Sequence, residues 1–466
     1  EASRWTHTRM RRRMLDGTHL QDVKEALVRR VGGKRAEAWA EIPVLSTNPL
    51  DNLCRELAVL YTQPPRVRHD GASEQTVVAM DLLLRHSGVW GLMGRVQRYA
   101  LGLRECLLRI SIEGGKPTFR PVYPDLVCAT PREDLPDQPL AVREYRSRTI
   151  QGRQVWTVDV LDISDPVYPR WEIREALQEG GEGQDLSALV WGEGRSGDAY
   201  PYRREDGTPF LPYILYHAER TGDRLWDPYA QITIVDGSLS LIVKANLLEH
   251  TFLQASWPQR YVLGAQVVGM ETSGGRAEVV TDPAVLLQLE RSEGFDGQPV
   301  IGQFAPGGDV EKMAIVLEME AARLATEAGV PASDLQRQNS ARSGAAISLS
   351  NEGKRAQQRR FAVHFRDADQ AMVAAVAAAM NREIGRVVYP EYGWSVLYQE
   401  LPLSPDELEA RRRNVRELLA DGLLSRVEAF RELNPGLSEA AARAELAKID
   451  AERAAGVVAD PAQQAG

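Results

Sequence analysis

Hydrophobic residues recur at helical spacing through residues 15–105. The segment Leu50–Tyr61 (LDNLCRELAVLY) places its apolar side chains on one helical face, and residues 74–84 and 89–103 continue the pattern. The prolines of Thr62–Arg66 (TQPPR) interrupt it, because proline cannot continue a helix. This part of the chain is therefore predicted to be helical.

A change of period after residue 104 predicts a β-rich part. Segments rich in β-branched and aromatic residues alternate there with clusters of Gly, Pro and Asp, as strands and turns do. Gln151–Arg153 and Glu205–Gly207 have the composition of tight turns. The predicted strands are 104–112, 140–145, 154–161, 186–191 and 208–217.

Helical spacing returns in two further segments, separated by a glycine-rich region. One helix is predicted over Asp236–Trp257, and residues 259–308 after it are predicted to form strands and turns. Val310–Ala328 is a strong helix former, with Asp309 as a candidate N-cap and Gly329 at its end. The two helices are thus expected to flank a small domain.

The rest of the chain is predicted to be mostly helical. A long helix is expected over Ala345–Arg386, with a kink or a close contact at Gly353, because glycine costs about 1 kcal/mol relative to alanine in a helix. Ser425 and Glu428 have the spacing of a capping box. The C-terminal helices are predicted at 405–420, 426–433 and 438–455.

Length and composition indicate a globular protein of several structural units. The chain has 466 residues, more than the roughly 250–300 that one hydrophobic core usually supports. Its charged content of 26% is ordinary for a folded protein. We find no uninterrupted apolar run of about 20 residues, so no membrane span is predicted.

Charge is acidic overall and basic in two places. The net charge is −9, so a tight and extensive grip on DNA is not expected. Ten basic and three acidic side chains lie between Arg4 and Arg35, and six basic and one acidic between Gln336 and Arg360. Any contact with DNA is therefore expected to be local and weak.

The sequence contains no recognisable catalytic or metal-binding motif. The cysteines, which are expected to be free thiols in a reducing compartment, are Cys54, Cys106 and Cys128. Gly192–Gly197 matches GxGxxG, but the following DAYPYRREDG is not a helix and cannot hold a pyrophosphate at a helix N-terminus. The seven histidines show no zinc-ligand spacing. We expect no catalytic residues, no metal and no cofactor, and so no enzyme.

Several short motifs occur in a characteristic order. Gly329-Val330-Pro331 ends one helix and Ser343-Gly344-Ala345 opens the next. Leu403–Glu407 and Asp421–Ser425 follow, before the turn at Asn434-Pro435. This arrangement resembles the portal proteins of tailed bacteriophages, including the portal proteins of phage-like gene transfer particles.

The resemblance implies an α+β portal fold assembled as a cyclic ring. It implies an α/β wing, a two-helix stem, a small α/β clip and a helical crown. The implied divisions are a wing at 1–235, a stem helix at 236–258, a clip at 259–308, a stem helix at 309–329, a tunnel loop at 330–343, a long wing helix and return strand at 344–402, a crown at 403–457 and a disordered tail at 458–466.

The resemblance also implies a function without catalysis. Twelve subunits would form a ring at one vertex of a phage capsid, through which double-stranded DNA is packaged and later ejected. The ring would contact DNA transiently and without sequence specificity, and would dock the terminase large subunit, the head–tail adaptor and the major capsid protein. Such a protein is assembled in the host bacterial cytoplasm and resides in the virion, with no membrane partner.

Three groups of residues are candidates for contact with DNA or with partners. The first group belongs to the tunnel loop and consists of Gln336, Arg337, Gln338, Asn339 and Arg342. From the residues alone, a solvated connecting loop explains this segment equally well. Lys244 and Arg260 are channel or stem candidates, or serve helix solubility. The run Arg11, Arg12 and Arg13 is a candidate for capsid or DNA contact, or a disordered, solvated arm.

Two alternatives to the portal interpretation remain open from the sequence. The chain could be another head–tail connector or structural component of the virion, which ring mass and symmetry would distinguish from a portal. The other alternative is an enzyme acting on nucleic acid. A two-metal nuclease needs converging carboxylates, and none is evident from the residue spacing.

Overall fold

Helices and antiparallel strands occupy most of the chain, in agreement with the predicted α+β class. The computed structural model describes residues 2–31, 47–150, 153–177, 186, 189–196, 200–227, 233–256, 259–263, 265–267, 289–291, 298, 300–304, 309–330, 344–399, 405–434 and 439–454. The chain divides into two compact units, one of residues 1–339 and 356–399 and the other of residues 340–355 and 400–466.

The described residues contain eleven α-helices. They are α1 (Ala2–Asp16), α2 (Leu20–Val31), α3 (Pro49–Leu57), α4 (Glu74–His86), α5 (Val89–Leu103), α6 (Thr233–Ser256), α7 (Val310–Glu327), α8 (Gly344–Ile384), α9 (Pro405–Ala420), α10 (Arg426–Leu433) and α11 (Glu439–Ala454). The ends of α6, α7 and the three C-terminal helices lie within a few residues of the predicted ones.

The strands form five antiparallel sheets. They are β1 (Arg66–His69), β2 (Glu105–Glu113), β3 (Lys116–Val122), β4 (Val127–Pro131), β5 (Pro139–Ile150), β6 (Arg153–Asp162), β7 (Arg170–Glu175), β8 (Arg195–Ser196), β9 (Tyr213–His217), β10 (Gln259–Leu263), β11 (Ala265–Val267), β12 (Leu289–Arg291), β13 (Val300–Phe304) and β14 (Trp394–Leu397). The larger sheets have the orders β3-β2-β9 and β4-β5-β6-β7-β8, and three strand pairs are β1-β14, β10-β13 and β11-β12.

The main hydrophobic core of the larger unit lies between its helices and the β3-β2-β9 sheet. Fully buried side chains such as Leu53 of α3, Met93 of α5 and Phe365 of α8 contribute to it. A second cluster, including Leu107 and Leu161, packs the three-stranded sheet against the five-stranded sheet.

Helix ends are satisfied by the residue types that favour caps. The side chain of Asp309 accepts a hydrogen bond from the backbone N–H of Lys312 and so begins α7 as predicted. Ser425 and Glu428 form the predicted capping box at the start of α10. Gly329 follows α7 with φ of +75°, a conformation that glycine adopts without steric cost.

Two local predictions from the sequence are wrong, and one of the two alternatives expected at Gly353 is not found. The predicted strand at 186–191 does not form in the described residues: Leu186 lies in a 3₁₀ turn, and Trp191 makes only an isolated bridge with Ala176. Residues Arg66–His69, within the part predicted to be helical, form β1 because β14 pairs with them from far along the chain. A Cβ atom built on Gly353 would meet no atom within 4 Å, so the expected close contact is absent there.

The smaller unit has few fully buried apolar side chains in its described part. In α9, α10 and α11 these are Val415, Ala429 and Ala442. Arg355 and Glu407, both of this unit, form a bidentate ion pair with two N···O distances of 2.8 Å, and only 4% of Arg355 is exposed. Polar contacts thus supplement a small core.

Candidate functional site

Helices α6 and α7 pack against each other in antiparallel orientation. Gly237 near the start of α6 meets Leu324 near the end of α7, whereas Leu248 near the end of α6 lines the same groove as Met313 near the start of α7. A Cβ atom at Gly237 would lie 2.7 Å from Leu324 Cδ1. Any side chain larger than a hydrogen atom at Gly237 would therefore require Leu324 to move.

Lys244 takes part in this helix packing. Its Nζ donates to both carboxylate oxygens of Glu320, at 2.5 and 2.6 Å, and each side chain is about one-third exposed. The positive charge of Lys244, one of the two channel or stem candidates, is thus neutralised by the Glu320 carboxylate of α7. The other such candidate, Arg260, lies in β10, and its side chain is outside the described residues.

The exposed part of the α7 surface carries large apolar side chains. Leu317 and Leu324 point toward the core, whereas Ile315, Val316 and Met319 are 49%, 52% and 66% exposed. Met319 is four residues from Ile315 and three from Val316, so these positions are neighbours on the helix surface. We call Ile315, Val316 and Met319 the α7 apolar stripe. Large side chains exposed together are typical of a surface that meets a partner.

The apolar stripe continues into a groove between the two helices. This groove has a volume of about 290 Å³ and a mostly apolar lining, contributed by Leu247, Met313 and Val316 among others. Phe252, on the last turns of α6, is 53% exposed. The surface formed by this helix pair can therefore accept apolar side chains from another molecule.

The basic run of the N-terminus belongs to a packed helix. The alternative of a disordered arm is wrong, because Arg11, Arg12 and Arg13 lie in α1. Arg11 is only 4% exposed, Arg12 Nη1 lies 3.1 Å from the buried carboxylate of Asp125, and Arg13 forms a bidentate ion pair with Asp22. Much of the positive charge of this run is compensated within the chain.

The tunnel-loop candidates lie outside the described residues. These are Gln336, Arg337, Gln338, Asn339 and Arg342. The described chain stops at Val330 after α7 and resumes at Gly344 with α8. The predicted disordered tail at 458–466 also lies outside the description.

A buried carboxylate that sequence reasoning did not single out connects four segments of the larger unit. Asp369 of α8 is fully buried, and its Oδ2 accepts hydrogen bonds from Tyr61 at 2.8 Å and Tyr398 at 2.6 Å. Its Oδ1 accepts one from Tyr216 of β9 at 2.9 Å. Burial raises the pKa of Asp369 to about 6, although the three hydrogen bonds favour the ionised form.

A second buried polar network joins the two larger sheets. Arg109 Nη1 of β2 lies 2.9 Å from Glu144 of β5 and 2.5 Å from Asp159 of β6, and it also donates to Tyr213. Arg146 donates to both carboxylates at 3.0 Å. Each buried charge of this network therefore has an opposite charge beside it, which offsets the cost of its burial.

The described residues supply no arrangement for chemical catalysis that we recognise. Within the described ranges, no group of three or more His, Cys, Asp or Glu side chains could hold a metal ion. Burial raises the pKa of the Cys54 and Cys106 thiols to about 12, so neither is a reactive thiolate at neutral pH. The paired helices α6 and α7 are therefore the best candidate for a functional surface.

None of the described helices is both long and apolar enough to cross a bilayer.

Comparison of the chain with protein-family profiles and with curated protein sequences gives no match.

Proposed function

We propose that this chain is the subunit of a portal ring, through which double-stranded DNA enters and leaves a phage capsid. The observation that carries the proposal is the antiparallel pair α6 and α7, which flanks the residue 259–308 segment and exposes the α7 apolar stripe. In the portal resemblance, two such helices form the stem, and the segment between them forms the clip.

The apolar stripe supports an assembly of identical copies. Ile315, Val316 and Met319 are each about half or more exposed in the single chain, and burying apolar surface yields roughly 25 cal/mol per Å². In a closed cyclic ring of more than two copies, one patch of each copy meets a different patch of the next copy. A ring in which the stripe of each α7 meets the α6–α7 groove of its neighbour would cover both surfaces.

The charge of the chain supports a conduit that does not hold its cargo. Duplex DNA is bound through its phosphates, and each phosphate contact strengthens the grip. The net charge is −9, and Lys244 on the paired helices is neutralised by Glu320. Weak contact is then left to a narrow set of residues, for which the tunnel loop with Arg337 and Arg342 is our proposal.

The strand pairs between the paired helices agree with a small projecting domain. Strand β10, directly after α6, pairs over five residues with β13, which precedes α7. The chain thus leaves α6 and returns to α7 through one antiparallel pair. In the proposed ring this domain docks the terminase large subunit and the head–tail adaptor, and the ring also contacts the major capsid protein.

Electron microscopy of the purified full chain tests the proposal. We expect closed rings with a central pore wide enough for a double helix, with twelve subunits by native mass spectrometry. Met319→Glu should prevent ring closure while leaving the helical circular dichroism unchanged. Tyr168→Glu, which alters a side chain 76% exposed on the β6–β7 connection, is the matched control and should leave rings intact.

A poreless monomer of wild-type chain at high concentration would overturn the proposal. Rings formed equally well by Met319→Glu would instead show that the α7 apolar stripe is not the subunit interface, and would remove the observation on which the proposal depends.

A further inference from the structure

Strand β9 is an edge strand whose outer side borders a groove. It pairs with β2 from Tyr213 opposite Arg109 to His217 opposite Glu105, and it has no other strand neighbour in the described sheet order. The backbone groups on its outer side are therefore available to any segment that lies in the groove.

The hydrogen-bond register shows which residues of β9 point outward. Ala218 N–H donates to the Arg104 carbonyl at 2.8 Å, and Ile110 N–H donates to the Pro212 carbonyl at 2.8 Å. In an antiparallel pair, every second residue hydrogen-bonds its partner. On β9, Tyr213, Leu215 and His217 alternate with the residues whose backbone groups hydrogen-bond β2. Their backbone N–H and C=O groups point away from β2 and make no hydrogen bond within the described chain.

The groove beside this edge has the size and lining of a peptide site. Its volume is about 400 Å³, and one wall is the β9 segment itself. The opposite walls come from α8, through Ala368 and Ala371, and from the β4–β5 connection. The lining combines apolar side chains with charged ones such as Arg204, Arg220 and Asp367, so the groove offers both kinds of contact to an occupant.

The two edges of the three-stranded sheet differ in how they are protected. At the far edge, β3 (KPTFRPV) contains Pro117 and Pro121, and proline on an edge strand prevents further pairing. Strand β9 (YILYH) contains neither proline nor lysine. The β3 edge is therefore protected by prolines, whereas the β9 edge is bordered by the groove walls from α8 and the β4–β5 connection.

The charges of the groove indicate the composition of its occupant. Arg220 pairs with Asp367 and Asp137 within the groove. Arg204, at the end where β9 begins, forms no salt bridge in the described chain: it donates to the Glu391 carbonyl, and its guanidinium stacks on the Tyr392 ring at 4.4 Å. A carboxylate on the occupant would complement it.

We propose that the β9 edge binds an extended segment of a partner protein by strand addition. The segment would span about five residues, the length of β9, with apolar side chains at alternate positions and an acidic side chain that reaches Arg204. Its backbone would hydrogen-bond Tyr213, Leu215 and His217. This inference concerns the larger unit alone and does not depend on the proposed ring.

The experiment uses a displayed library of random short peptides, selected on the full wild-type chain. We expect enrichment of acidic peptides with alternating apolar residues. Leu215→Pro removes an outward N–H but no hydrogen bond to β2, so the affinity for a selected peptide should fall by about tenfold or more. Leu215→Ala keeps this N–H and should retain the affinity. Arg204→Gln should weaken the acidic peptides only.

A second measurement leaves the protein unchanged. Selected peptides methylated on the backbone nitrogens that face β9 should lose binding, and those methylated on alternate nitrogens should keep it. Hydrogen exchange of the Leu215 amide should slow when peptide binds, and exchange in β2 reports whether Leu215→Pro is folded.

Three results would overturn this proposal: no enriched peptide, equal binding of methylated isomers, or protection of the Leu215 amide by self-association without peptide. The last would identify a second copy as the occupant. Rings formed by Leu215→Pro would show that ring assembly and strand addition are separate properties.

Discussion

Lys244 of α6 and Glu320 of α7 form a two-pronged ion pair across the antiparallel helices, with Nζ 2.5 and 2.6 Å from the carboxylate oxygens. The pair lies between the close approach at Gly237 and the apolar groove at Met313. It therefore fixes the alignment of the two helices in the middle of their contact.

Reversing one charge of this pair should weaken the helix contact. Lys244→Glu places two carboxylates together and should lower the free energy of unfolding by about 1 kcal/mol, since the pair is partly exposed and screened. Lys244→Glu combined with Glu320→Lys should restore most of the loss. Urea unfolding followed by circular dichroism measures both, and a double variant no more stable than the single one would contradict the assigned pairing.

The buried carboxylate of Asp369 should give the larger unit a specific pH dependence. Its pKa is raised from 3.8 to about 6, so the folded state binds this proton more tightly than the unfolded state does. The corresponding stability is present below about pH 4 and is lost as the pH rises through 6. The full difference corresponds to about 3 kcal/mol.

Asp369→Asn isolates this effect, because asparagine keeps the shape without the charge. The stability of the variant relative to wild type should rise between pH 4 and pH 7 in denaturant unfolding. Asp206→Asn is the control: hydrogen bonds from Thr208 lower the pKa of this exposed carboxyl below 3.8, so its contribution to stability is lost only as the pH falls below about 4, and its relative stability should stay nearly constant between pH 4 and pH 7. A pH-independent difference for Asp369→Asn would show that Asp369 is already ionised well below pH 6.

Removing Arg109 should be more damaging than removing an exposed arginine. Arg109→Met leaves Glu144 and Asp159 buried with less compensating charge, and should cost about 3–5 kcal/mol. Arg109→Lys keeps one charge but not the branched guanidinium, and should cost less. Thermal unfolding measures the loss of stability in each variant. Arg148→Met, at an exposed position of β5, is the control. Equal effects at the two sites would contradict the role of the network.

The helices of this chain could be predicted because their signals are local. Ser425 and Glu428 are three residues apart, and Asp309 directly precedes α7, so each cap is visible in a short window. Strand β1 could not be predicted in this way, since Arg66 pairs with Leu397. The strand pairs β10-β13, over five residues, and β11-β12, over three residues, depend similarly on partners that are distant in sequence.

The buried networks were missed for the same physical reason. Tyr61, Tyr216 and Tyr398 converge on Asp369 from positions up to 337 residues apart in the numbering, and no sequence window contains them. One signal was present: Asp369 continues the helical spacing of Phe361 and Phe365. An acidic residue in an apolar helical stripe indicates a buried charge that needs partners.

The tunnel-loop proposal predicts a defect in DNA handling without a defect in assembly. Replacing both Arg337 and Arg342 by Glu turns weak phosphate attraction into repulsion at the point where the proposed ring approaches DNA most closely. We expect normal rings by electron microscopy and a several-fold loss of packaged or retained DNA in a packaging reaction with the matching capsid and motor.

The control replaces exposed Arg148 and Arg386 by Glu, which makes the same change in net charge outside the loop. Equal loss in both variants would assign the effect to net charge, and normal packaging by the loop variant would remove the loop from the DNA path. Because attraction to phosphates is screened by salt, the difference between the two variants should shrink as ionic strength rises.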